Sequence, residues 1–131
     1  MKPVKQKDKN DCLSACVASL THHPIEKFPI TFGDKRKFGK FLKVLDSIGY
    51  SLEFGLRPSR PDCLYIACIP QYDPGETGSF HAVIGREGKV VWDPTTSKTK
   101  LRRGMNLYRV DSYIWLRKTK VRKSRKKNTD E

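Results

Sequence analysis

Long apolar runs are missing from this 131-residue chain. No segment approaches the ~20 apolar residues of a helical membrane span, so no membrane partner is expected. The opening residues, Met1-Lys2-Pro3-Val4-Lys5-Gln6, lack the apolar stretch of a secretory signal, and the expected location is cytoplasmic. Cysteine is scarce, at four residues. In a reducing compartment these are not expected to pair, and Cys12 and Cys16, one helical turn apart, have poor geometry for a bridge. The bland reading of Cys16, Cys63 and Cys68 is small buried hydrophobes. Zinc-knuckle spacing is also lacking. Cys12-x3-Cys16 lies in an apolar helical run and Cys63-x4-Cys68 in an apolar strand, which leaves neither a metal nor an organic cofactor in the reading. Acid is in short supply, with 14 Asp and Glu against 27 Lys and Arg and a net charge of +13. The deficit is uneven: Arg117 to Lys127 holds eight Lys or Arg and no acid, whereas residues 1–116 carry +7. No internal repeat is present.

What remains fits one domain over residues 1–116 followed by a basic tail over 117–131 that is expected to be disordered, and the protein is expected to be a monomer. At 37% hydrophobic residues the body can bury a core without disulfide staples. Asp11 reads as the N-cap of a helix over about 12–20, with Leu13, Cys16, Val17 and Leu20 on one face. His22-His23-Pro24 closes it, because the residue before proline resists helix. A second helix runs from about Lys35 to Ile48, with Phe38, Phe41, Leu42, Leu45 and Ile48 at helical spacing and Gly49 ending it. Strands follow over Tyr50–Leu56, Cys63–Ile69 (continuous and central), Phe80–Gly85 and Val90–Trp92. One or two more lie within Met105–Val110 and Ser112–Leu116. Helices first and strands after is an α+β order.

The chemistry is concentrated at four residues. Cys12 begins a helix, where the macrodipole and unpaired amides favour a thiolate. His81 leads one strand and Asp93 ends the next. If Arg86-Glu87-Gly88 forms a three-residue hairpin loop, Gly85 pairs with Lys89, Val83 with Val91, Ala82 with Trp92 and His81 with Asp93. The last two then share a face, and the carboxylate can orient the imidazole. A two-residue loop would shift the register by one and separate them. Gln6 adds an amide donor for an oxyanion. Nucleophile, base, orienter and oxyanion donor together make the set a cysteine nucleophile needs.

Gln6 through Leu20 resembles the nucleophile segment of papain-like cysteine peptidases. The likeness is nearest to the bacteriocin-processing, double-glycine-leader peptidase domains of ABC exporters and their stand-alone relatives in bacteria and phages. Those carry Gln, five residues, Cys and then a small-residue helix often containing Ala-Cys. Their His-led strand and Asp-Pro strand end look like His81 through Pro94 here. The resemblance implies a papain-like fold, an N-terminal nucleophile helix packed on an antiparallel sheet. It further implies Cys12 as nucleophile, His81 as general base and acid, Asp93 as orienter and Gln6 as oxyanion donor, acting on a peptide or isopeptide bond of a peptide or protein substrate. Leu13 stands where the family usually has glycine. Double-glycine specificity is therefore not carried over, and no transporter segment is present in the chain.

Other readings share these residues. Acyltransferase, deamidase or transglutaminase-like amide chemistry passes through the same thioester. The Arg117–Lys127 stretch suits non-specific nucleic acid or an acidic partner, by charge alone, since no aromatic is interleaved for base stacking. With an inactive papain-like fold, nucleic-acid binding would be the whole function. The Phe28–Gly33 loop and the approach over Tyr72–Phe80 are expected to border the cleft.

Overall fold

Small side chains set how closely the first helix approaches the sheet. In the computed structural model, which describes residues 1–7, 11–28, 35–57, 60, 62–70, 80–95 and 100–119, helix α1 spans Cys12–Thr21. All of its residues but Leu20 are buried. Ala15, Cys16 and Ala18 let its backbone lie against the sheet, and two of its buried hydroxyls donate within the helix. Ser19 Oγ donates to the Ala15 carbonyl and Thr21 Oγ1 to the Val17 carbonyl, each at 2.8 Å. Asp11 precedes the helix as expected, but its carboxylate does not cap it. Oδ2 instead accepts the Lys7 N–H at 3.1 Å, closing the approach segment upon itself. His22 ends α1 in the left-handed region (φ 60°, ψ 36°), passing its N–H to the Ala18 carbonyl. A 3₁₀ turn at Ile25–Lys27 follows.

Helix α2 covers Lys35–Ser47. Phe41 and Leu45 are fully buried, whereas Leu42, expected on the same face, is exposed and Val44 packs in its place. The strands are β1 (Tyr50–Gly55), β2 (Tyr65–Pro70), β3 (Phe80–Arg86), β4 (Lys89–Trp92) and β5 (Ser112–Lys118). They form one sheet in the order β1-β5-β2-β3-β4, with every neighbouring pair antiparallel. This is the α+β architecture expected, with β2 central. Cys63 precedes β2 and is exposed, and Cys68 is half-buried, so neither is a fully buried hydrophobe. Residues 105–110 form no strand: their sheet contact is a bridge from Asn106 to Lys89.

The helix-facing side of the sheet packs Ile66, Ala82, Ile84 and Ile114 against Val17, Phe41 and Leu45. The other side packs Tyr65, Ala67, Val83 and Trp115 beneath Leu101, Leu107 and Val110. Arg117 and Lys118, assigned to the tail on sequence, are β5 residues opposite Ser51 and Tyr50. Residues 120–131 lie outside the described residues, as do 29–33 and 71–79 of the loops expected beside the cleft.

The β3–β4 hairpin departs from expectation twice, and the departures cancel. Its turn has two central residues, Glu87 and Gly88, because Arg86 pairs with Lys89. Both have positive φ, 54° and 76°, the requirement of a type I′ turn. That turn alone would put His81 and Asp93 on opposite faces. The register then slips: Gly85 pairs with Val90 but Ile84 pairs with Trp92, so Val91 is the extra residue of a β-bulge. Continued past Trp92, the shifted register returns Asp93 to the face of Val83 and His81.

Candidate active site

Past the bulge, β4 ends at Trp92 while the paired part of β3 continues back to Phe80. The outer edge of β3 is therefore left for α1, which meets it with two sulfurs one turn apart. Cys12 Sγ accepts the Ala82 N–H at 3.4 Å, and Cys16 donates its S–H to the Ala82 carbonyl at 3.4 Å. A strand residue presents both backbone groups to the same side, and residues four apart on a helix lie on one face, so the i, i+4 spacing matches. Burial pushes the Cys16 thiol well above its ordinary range, with Cys12, Asp93 and Cys68 adding to the rise. Cys16 thus keeps the proton it donates. On sequence this second sulfur reads as a small core residue, with zinc ligation as the rival. The Cys12-x3-Cys16 spacing was its visible signal.

Cys12, the first residue of α1, is 1% exposed, and Leu13 beside it packs into the core. His81, immediately before Ala82, places Nε2 2.6 Å from Asp93 Oδ1. His81 also hydrogen-bonds to Cys12. With Nε2 committed to Asp93, Nδ1 is the ring nitrogen left for the thiol. Asp93 is 1% exposed and fixed on both oxygens. Oδ1 also accepts the Thr95 N–H at 3.0 Å, in the manner of an Asx turn, and Oδ2 accepts the Leu101 N–H at 2.9 Å.

These contacts set the charges. Burial alone would lower the His81 pKa, but hydrogen bonds and charge from Asp93 and Cys12 outweigh it and raise the value from 6.5 to about 9. Burial works against the Asp93 carboxylate too. The hydrogen bond and charge of His81, helped by the Leu101 and Thr95 amides, hold it below its ordinary 3.8. At neutral pH the pair is imidazolium and carboxylate.

Gln6 reaches the same corner by its backbone, its N–H donating to the Pro94 carbonyl at 2.9 Å, one residue beyond Asp93. Its Oε1 atom is buried. The segment around it is tied on both sides: Trp92 Nε1 donates to the Val4 carbonyl at 3.0 Å, and the Val4 N–H to Ser19 Oγ at 2.9 Å. Residues 1–7 thus run between α1 and β4, joining the element that carries the thiol to the strand that leads to the carboxylate.

Cys12, His81 and Asp93 are in this way brought together, with Gln6 alongside. Among the described residues no group of three or more His, Cys, Asp and Glu side chains is arranged to hold a metal ion, and no helix is long and apolar enough to cross a membrane. No protein-family model, no curated protein and no solved structure matches the chain significantly.

Proposed function

We propose that this chain is a papain-like, thiol-dependent hydrolase that cleaves a peptide or isopeptide bond. The observation that carries the reading is the line from buried carboxylate to imidazole to thiol. Asp93 Oδ1 holds His81 Nε2 at 2.6 Å, and the ring's other side serves Cys12. In the first half-reaction Cys12 Sγ attacks the substrate carbonyl carbon as a thiolate. The C–N bond then breaks, and the His81 imidazolium gives its proton to the leaving amine. In the second half, neutral His81 takes a proton from water, the hydroxyl adds to the thioester carbonyl, and the C–S bond breaks to release a carboxylic acid and restore the thiolate–imidazolium pair. Asp93 keeps the ring oriented and stabilises its charged form. The oxyanion of each tetrahedral intermediate is assigned to the Cys12 backbone N–H, at the start of the helix, and to the side-chain amide of Gln6. The same thioester would serve an acyl acceptor other than water.

Thiol reactivity gives a direct test because exposure and activation predict opposite orders. Cys63 is exposed and Cys12 buried. If access governed alkylation, Cys63 would react first. The proposal expects Cys12 to be labelled first near pH 6 by a small electrophile, as mapped by mass spectrometry, and His81→Ala to abolish that lead. Labelling led by Cys63 in the unaltered protein, or a Cys12 rate indifferent to His81→Ala, would refute the nucleophile assignment.

A further inference from the structure

A cleft of about 460 Å³ opens on the outer side of β4, and its wall includes Asp93. Half-buried Val91, Trp92 and Leu101 and exposed Lys100, Arg102 and Arg103 line it. Lys100 Nζ stands 4.2 Å from the centre of the Trp92 ring. Among the described residues, none of these three cations is paired with a carboxylate. The one acid in the wall, Asp93, is already committed to His81, Thr95 and Leu101. Three like charges around an apolar floor repel one another and lower the cost of bringing in a negative ligand. The proposed triad begins at this wall, because the carboxylate that forms part of it holds His81.

We infer that this cleft is a substrate subsite for acidic polypeptide. Glu or Asp side chains near the scissile bond lie against Lys100, Arg102 and Arg103 while their aliphatic parts cover Trp92 and Leu101. The inference rests on the proposed hydrolase reading and names its substrate class. Carboxylate on a flexible peptide suits the geometry better than a nucleobase does, because Lys100 already occupies a face of the Trp92 ring and stacking needs that face. Four extended residues span about 13 Å, which sets the reach of the peptide used in the test.

The test compares two thiol electrophiles on the full-length protein, iodoacetamide and an iodoacetyl-capped tetraglutamate peptide. Three proteins are used: the unaltered chain, Lys100→Gln/Arg102→Gln/Arg103→Gln, and a charge-matched control, Lys27→Gln/Lys40→Gln/Lys43→Gln. The expected result is saturable Cys12 labelling by the acidic peptide that is about tenfold slower in the cleft variant, the scale of three partly screened charge pairs. The control should keep the fast rate, and iodoacetamide should label Cys12 equally in all three. Equal peptide rates in cleft variant and control would overturn the subsite while leaving the nucleophile reading intact. Loss of Cys12 labelling by both reagents in the unaltered protein would sink the hydrolase reading and the subsite with it. Anisotropy of a fluorescein-labelled decaglutamate and of a ten-nucleotide single strand supplies the last arm. Tighter binding of the oligonucleotide, lost in the cleft variant alone, would make the cleft a nucleic-acid site and refute the acidic-peptide assignment.

Discussion

His81 couples the proposed chemistry to the stability of the fold. Its pKa rises from 6.5 to about 9 on folding. A group whose folded-state pKa is raised stabilises fully below the unfolded value and loses that stabilisation as pH climbs through the folded value. The window here therefore runs from 6.5 to about 9. With the ring only 12% exposed, the loss across it is on the order of 3 kcal/mol at most. Urea midpoints should fall between those pH values in the unaltered protein and much less in His81→Gln, while Asp93→Asn should bring the His81 NMR titration down toward its ordinary range. A flat midpoint in the unaltered protein would show that the Asp93 and Cys12 contacts do not hold the ring charged. Gln6 is separable by kinetics. Gln6→Ala should leave Cys12 alkylation intact, because alkylation has no oxyanion, yet slow turnover of an amide by ~10²-fold. Normal turnover in that variant would reduce Gln6 to the Pro94 contact its backbone makes.

At the scale of elements, the hairpin decides whether there is a site at all. The type I′ turn and the bulge each reverse the face of Asp93, and only together do they return it to the side of His81. Gly85 sits at the slip, where an added Cβ would lie 2.7 Å from Leu107 Cδ1, 2.8 Å from Tyr65 Cε1 and 3.2 Å from the Lys89 carbonyl. Gly85→Ala should therefore cost about 1–3 kcal/mol by urea denaturation and weaken the His81–Asp93 contact, read as a lower His81 pKa by NMR. Gly39→Ala is the control, since nothing lies within 4 Å of its added Cβ and alanine favours a helix interior. Unchanged stability and an unchanged His81 pKa in Gly85→Ala would mean that the bulge tolerates a side chain and does not set the register. The same hairpin marks where the sequence was legible. Cys12, His81 and Asp93 stood out as residue types in a telling order, and the helix and strand periods placed them on the right elements. The two-residue turn is not legible in the sequence, because Glu is an unusual residue at positive φ and Glu87 gives no sign of a type I′ turn. The bulge left no local mark beyond Gly85, whose constraint comes from Leu107 and Tyr65, far away in sequence. The Leu101 amide that steadies Asp93 is hidden for a similar reason, lying eight residues further on in the sequence.

Across the whole molecule, the fold reaches past residue 116 into the basic C-terminal run. β5 pairs with β1 as far as Lys118, and the Thr119 N–H donates to the Gly49 carbonyl at 2.8 Å, tying the end of the strand to the turn before β1. Cutting at residue 116 would thus remove two sheet pairs, Ser51–Arg117 and Tyr50–Lys118, and should destabilise the domain. Cutting after Thr119 removes none of these contacts, yet it takes away the six Lys and Arg of residues 120–127. The shorter protein should keep its urea midpoint and Cys12 labelling rate while losing most retention on nucleic acid. If all six cations contact phosphate in duplex DNA, the slope of log K against log salt should flatten by about 5, from the release of roughly 0.9 counterion per contact. Because such contacts do not read base edges, the lost affinity should be the same for duplexes of unrelated sequence. An unchanged slope would move the electropositive surface to the body of the molecule, where Lys100, Arg102 and Arg103 are the first residues to examine. A fall in Cys12 labelling after the same cut would instead show that residues beyond Thr119 support the site.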